Sequence, residues 1–316
     1  MKRSVLFTAL GALALTAVFA ADTNAQGLKS RAVVPGTGTH IDYVGDDFED
    51  ENWKFVHRHP KSSREQDDRL RSPRGKSTNG RWAEGPERGQ PDIIRVIDTP
   101  PGGPIGSEKA LLLQTLHSGI PGYNSRDVQQ DDLICEIVPR LRGSIPVSET
   151  PSFVVRLFLP EFDRWENRSG PQFGIRGSCT AMVSEQKSFL FGSRTTTSQE
   201  PYWPGMWIHF RSETSSKFNE DSAYIAIRGD RMGRDYRAME IDRTGWWTFG
   251  MSFTPDGSVH YYAKPGLDDL TAADHIDSQY PYSYSARQFR SFFFDVCNYN
   301  NGKSWSTPFV IDDAEL

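Results

Sequence analysis

In the run Tyr202-Trp203-Pro204-Gly205-Met206-Trp207-Ile208-His209-Phe210-Arg211, apolar side chains recur at every second position from Met206. A strand with this pattern sends Met206, Ile208 and Phe210 toward a core and turns Trp207, His209 and Arg211 the other way. Trp can stack on a pyranose ring, while Arg and His donate hydrogen bonds to hydroxyls and carboxylates, so the outward face suits a sugar. A core Trp beside two solvent-facing polar residues is the plainer reading of the same triplet. Neighbouring runs repeat the theme. Arg156 lies between Val154 and Phe158 on one parity, Gln172 shares a parity with Arg176, Tyr224 with Arg228, and His260 with Tyr262 and Lys264. Brought to one sheet face, these side chains would form a cationic, aromatic groove favourable to an anionic polysaccharide.

A second cluster is the Gly- and Pro-structured loop Leu116–Asp127, which adds His117, Tyr123 and Arg126 as substrate-binding candidates. Turn chemistry alone could also explain its composition. Cleaving a uronic-acid chain by elimination needs a base for the proton beside the carboxylate and a cation or amide to neutralise that carboxylate. The expectation is His209 or Tyr262 as base, with Arg211 holding the uronate.

These side chains need a scaffold of strands. Trp247, Phe249, Met251 and Phe253 alternate with Thr248, Gly250 and Ser252. Thr254-Pro255-Asp256-Gly257 follows, and then Val259, Tyr261 and Ala263 alternate with His260, Tyr262 and Lys264. Period-two alternation on both sides of a Pro-Asp-Gly turn predicts an antiparallel hairpin. From residue 110 onward short strands are expected at Ala110–Leu116, Leu133–Pro139, Ser152–Leu159, Gln172–Arg176, Ser188–Phe191, Met206–Arg211, Ala223–Arg228, Trp246–Thr254, Ser258–Ala263, Ser291–Val296 and Phe309–Leu316, with a short helical turn within Asp268–Ser278. Many short strands between Gly and Pro turns indicate an all-β sandwich. Aromatics at 12% and 27 Gly suit such a fold.

The hairpin at 247–266 and the Trp203-Pro204-Gly205-Met206-Trp207 strand resemble elements of the concanavalin A-like lectin and glucanase sandwiches, particularly family 16 glycoside hydrolases. Asp47-Phe48-Glu49 with Trp53 resembles their opening strand, and Phe309–Leu316 resembles the closing strand of carbohydrate-binding jelly rolls. The resemblance implies a two-sheet antiparallel jelly roll that engages polysaccharide, with its first and last strands paired. It also implies a structural Ca2+ there, for which Glu49, Asp312 and Asp313 could supply hard oxygen ligands; solvated edge carboxylates are the alternative. The hydrolases' E-[ILV]-D-x-x-E strand is only half matched, since Glu240-Ile241-Asp242 is followed by Thr244 and Gly245 where the second Glu belongs. Related alginate lyases carry strands that Gln172–Arg176 and Tyr261–Gly266 echo, although the Gln run lacks their His. A lyase is therefore expected ahead of a hydrolase, with a non-catalytic carbohydrate-binding protein and a structural envelope protein as the other readings.

The ends and composition frame the rest. Lys2 and Arg3, the apolar Leu6–Phe19 run and Val18-Phe19-Ala20 read as an export signal over residues 1–20. No later segment approaches the roughly 18 apolar residues of a membrane span. A secreted or periplasmic, monomeric protein without membrane insertion is expected. Losing Lys2 and Arg3 takes the formal charge from −5 to −7, which argues against a nucleic-acid partner. Residues 21–45 read as a flexible leader and 46–316 as one sandwich domain. Within that domain, residues 54–95 form a long irregular excursion with eleven Lys or Arg against six Asp or Glu. Cys135, Cys179 and Cys297 allow one bridge at most, and buried thiols on strands are as good a reading.

Overall fold

The Pro255-Asp256-Gly257 turn closes the hairpin that the alternation requires. The Thr254 N–H donates to Ser258 O at 3.2 Å, the Gly257 N–H to Thr254 O at 2.7 Å, and Gly257 takes a φ of +83°, which a glycine adopts without strain. Its two strands join others in the computed structural model of this chain, which describes residues 31–125, 127–189 and 192–316, the side chains of 185–196 excepted. The expected signal, the first ten residues of the leader and Arg126 lie outside the described residues.

In chain order the strands are β1 (Gly45–Asp46), β2 (Phe55–Val56), β3 (Lys76–Ser77), β4 (Trp82–Glu84), β5 (Ile93–Asp98), β6 (Lys109–Gln114), β7 (Gln129–Cys135), β8 (Ile145–Pro146), β9 (Ser152–Leu159) and β10 (Gly170–Phe189). They continue with β11 (Gly192–Tyr202), β12 (Gly205–Arg211), β13 (Ser222–Arg228), β14 (Asp235–Ile241), β15 (Gly245–Phe253), β16 (Val259–Pro265), β17 (His275–Gln279), β18 (Ala286–Asn298) and β19 (Phe309–Glu315). One antiparallel sheet has the order β17-β16-β15-β9-β19-β6-β5, with β1 against β19. The other runs β14-β13-β12-β10-β18-β7-β4-β3-β2, with β11 on β10 and β8 on β18. This is the two-sheet antiparallel jelly-roll sandwich expected. The pairing of Gly45 with Glu315 brings the first and last strands together.

Between the sheets, Phe249, Met251 and Phe253 are fully buried. Phe153 of β9 stacks on Phe292 of β18 with ring centres 4.6 Å apart, and Phe173 of β10 meets Phe309 of β19 at 4.9 Å. Each such ring contributes about 1.5–3 kcal/mol through burial, so the interlayer packing sets which face of each strand points inward. All three cysteines are buried and free.

Two expectations are corrected. The described part of the leader is not loose. Ser252 Oγ donates to Val33 O at 2.6 Å, the Ile41 N–H to Leu316 O at 3.0 Å, and a side chain on Gly250 would collide with Pro35. Leu133–Pro139 is not one strand, because β7 ends at Cys135 and a short helix, α1 (Ile137–Leu141), follows. The short helical turn expected within 268–278 is present at Ala272–Asp274, capped by Thr271, before strand β17.

Candidate functional site

The outer face of the second sheet carries the chemistry. On β12, Met206, Ile208 and Phe210 enter the interlayer core while Trp207, His209 and Arg211 point outward, as the parity predicts. Trp207 lies between register partners Gly174 on β10 and Ala226 on β13. Two small neighbours leave the indole room to lie along the sheet. Arg176 and Arg228, from the strands on either side, place their guanidinium carbons 4.8 and 4.4 Å from its ring centre. Only 4% of Trp207 is exposed, so the surface offered to a ligand is guanidinium rather than indole. The expected stacking of sugar on Trp207 is corrected accordingly: the ring is a platform for cations.

Above this platform is a cleft of about 540 Å3. The basic excursion contributes Arg64, Glu65, Glu87 and Arg88 to its lining, and Arg290 and Tyr282 line it too. The excursion is anchored from beneath by Lys61, whose ammonium donates to Asp131 and Asp92 at 2.7 Å each. Burial works against that ammonium, but the two carboxylates outweigh it and hold its pKa up. Five arginines line the cleft together with Glu65, Glu87, Asp132 and Asp235, and four of the five pair with a carboxylate of the chain.

The floor holds two acids. Asp132 on β7 and Asp295 on β18 are register partners, 5% and 0% exposed. Arg176 Nη1 donates to Asp295 Oδ2 at 3.2 Å, and both Oδ1 atoms are buried without a donor. Burial first, and then the neighbouring Asp295, push the Asp132 carboxyl well above the usual carboxylate range, against the pull of Arg88 and Arg176. Gly174 makes room for this: a side chain there would lie 2.9 Å from both Asp295 Oδ2 and Trp207 Nε1.

Toward the sheet edge, Tyr224 OH and His209 Nδ1 lie 3.3 Å apart. Burial lowers the His209 pKa to about 4, and its Nε2 has no partner. Arg211 donates two hydrogen bonds to Glu240, at 3.0 and 2.9 Å, and stacks on Tyr224. Arg237 also pairs with Glu240. Arg211 therefore already holds a carboxylate of its own chain, and Glu240 is an ion-pair partner rather than a poised acid.

The structure brings Trp207, His209, Arg211, Arg176, Tyr224 and Arg228 to one face. It does not bring the others. Tyr262 is on the opposite sheet, 1% exposed, packed with Val154 and Leu270 under the N-terminal segment. Arg156 is on that sheet too, beside Asp269 and Glu315. Gln172 sits at a bulge in β10 that breaks its shared parity with Arg176; its amide donates to Glu166 O and Arg168 O and accepts from Thr307. In the 116–127 loop, Tyr123 is 71% exposed, and neither it nor His117 lines the cleft.

Two of the carboxylates expected to hold a metal have partners within the chain. Glu49 Oε1 accepts the backbone N–H groups of Glu108 and Lys109. Asp312 accepts from Ser107 and from the Asp313 backbone, and burial raises its pKa to about 7. Among the described residues no three His, Cys, Asp or Glu side chains are grouped to hold a metal ion.

Sequence reasoning missed Asp132, Asp295, Arg88 and Arg290. Asp295 left a trace: one carboxylate inside the apolar run Phe292–Val296, which a strand tolerates only where the outer face is partnered. Arg88 left none, since its place depends on how the excursion folds back.

No protein-family model matches the sequence, and no curated protein matches it. Solved structures resemble it in overall layout. An alginate lyase from Pseudomonas aeruginosa is 10% identical, with a TM-score of 0.38 over 71% of this chain and 85% of its own. An immunostimulatory antigen and pseudo beta-1,3-glucanase of Mycobacterium tuberculosis is 9% identical, with a TM-score of 0.32 over 88% of this chain and 96% of its own. A beta-porphyranase from the human gut bacterium Bacteroides plebeius is also 9% identical, with a TM-score of 0.32 over 87% and 96%. The chain is similar to these sandwiches in fold, and the likeness gives none of its residues a role.

Proposed function

We propose that this chain is an exported protein that engages an anionic polysaccharide along the cleft over its second sheet. The observation that carries the reading is the pair of guanidiniums laid on Trp207 at the cleft floor. Guanidiniums held in place by an aromatic platform and by Asp235 and Asp295 lose little freedom on meeting a carboxylate or sulfate and present it with a fixed positive charge. Low-dielectric walls strengthen that attraction. The Lys2–Ala20 segment supports export.

If the engagement ends in cleavage, elimination suits the cleft better than hydrolysis. Its arginines can neutralise a uronate carboxylate, whereas Glu240 is bound up with Arg211 and Arg237. Affinity electrophoresis of the mature chain through alginate, polygalacturonate, a sulfated galactan and a neutral β-glucan tests the reading. Retardation by the anionic polymers alone, relieved by salt, is the expected result. Equal retardation by the neutral glucan, or none by any polymer, overturns it.

A further inference from the structure

We infer that Asp132 and Asp295 share a single proton at the cleft floor and that Asp132 is the acid–base catalyst for elimination on a uronate chain. The inference rests on the anionic-polysaccharide reading above and adds a reaction to it. Three observations carry it. The two carboxyls are register partners on adjacent strands, and each is at least nine-tenths buried. Each has an Oδ1 with no donor, an arrangement that one shared proton satisfies and two full charges do not. Asp132 lines the cleft, and Asp295 lies behind it with its Oδ2 on Arg176.

With Oδ1 engaged toward Asp295, the remaining Asp132 oxygen is the one left for a bound chain. That oxygen takes the proton from C5 of a uronate residue. The C5–H electron pair becomes the C4=C5 bond while the C4–O4 bond breaks, and Asp132 passes the same proton to the departing O4. The products are an unsaturated uronate end and a new hydroxyl end; the pair keeps its own proton throughout, and no co-reactant is consumed. One residue acting at both C5 and O4 requires both on the same side of the sugar ring. Arg290, which lines the cleft, neutralises the uronate carboxylate, which makes C5–H acidic enough to lose its proton. Asp295 is a positioning residue that holds the shared proton.

The charged and titratable groups facing the pair are Arg88 from the excursion, Arg176 from β10 and the Cys297 thiol on β18. The two cations favour the charged form of Asp132, while burial and Asp295 oppose it.

The test uses the mature chain with mannuronate-rich alginate, whose C5–H and O4 lie on the same side of the ring, reading the ultraviolet absorbance of the new conjugated double bond. Polygalacturonate, whose C5–H and O4 lie on opposite sides, should bind without reacting. The sulfated galactan, which has no carboxylate at C5, serves as a ligand that can bind without reacting. Wild type should produce unsaturated ends, and Asp132→Asn should lower that rate about 10²-fold or more with binding kept. In Asp295→Asn the acid limb of the pH–rate profile should move to lower pH, because Asp132 no longer shares a proton. Should either variant fail to fold, the wild-type profile decides: its acid limb must lie well above the ordinary Asp value of about 3.9. Binding without unsaturated ends, a fully active Asp132→Asn, or an acid limb at the ordinary value overturns the proposal and leaves the binding reading standing. Loss of binding to every polymer removes both.

Discussion

Arg228 lies 4.4 Å from the centre of the Trp207 ring while donating to Asp235 at 2.9 Å. The ring and the carboxylate together hold the guanidinium in one orientation. Arg228→Ala should therefore weaken binding of polygalacturonate about tenfold or more, the worth of one charge-assisted pair. The dependence of affinity on salt should also become shallower. Calorimetric titration at two ionic strengths checks both; unchanged affinity would place the polymer elsewhere.

Gly174 is a tight point of the site. Ala at this position puts a methyl 2.9 Å from Asp295 Oδ2 and Trp207 Nε1, an overpacking that costs about 1–3 kcal/mol. Gly174→Ala should melt several degrees lower than wild type and bind the polyanion less well, measured by calorimetry and by affinity electrophoresis. A variant with wild-type melting and binding would show that the site has room to give.

Much of this arrangement was legible in the residues, and the boundary of legibility has a physical cause. Alternation within a strand reports which side chains share a face, so the parity of Trp207, His209 and Arg211 and the burial of Phe249, Met251 and Phe253 could be read directly. Which sheet a strand joins depends on long-range pairing. Tyr262 and Arg156 therefore had the right chemistry on the wrong layer. Gln172 failed for a third reason, a single-residue bulge that resets the parity. β5 and β14 were passed over because charged residues interrupt Ile93–Asp98 and Asp235–Ile241.

The excursion depends on one buried cation. Lys61 is held by Asp131 and Asp92 at 2.7 Å each, and Lys61→Met would leave Asp131 buried without its partner. A loss of about 3–5 kcal/mol is expected. Thermal unfolding should fall by about 10 °C, since a chain of this size shifts by roughly 2–4 °C per kcal/mol. Melting within a degree or two of wild type would show that the network adds little.

Asp312 gives a pH signature in stability. Its folded pKa is raised to about 7, burial being the main cause, so the folded state holds a proton there that the unfolded chain releases near 3.9. The associated stability is fully present below the unfolded value and is lost as pH rises through about 7. Asp312→Asn can still accept from Ser107 and does not ionise. Its melting temperature should therefore gain on wild type between pH 5 and pH 8, by roughly 2–4 °C at the upper end. Parallel melting curves across that range would contradict the raised pKa.

The N-terminal segment described above, tied to the first sheet through Val33 and Ser252, makes the molecule one-sided. One broad surface is upholstered by the chain's own polypeptide; the other carries the arginines. A bead, carrier domain or surface joined upstream of Val33 would therefore hold the protein by its back. The cleft would face outward, toward whatever polymer drifts past.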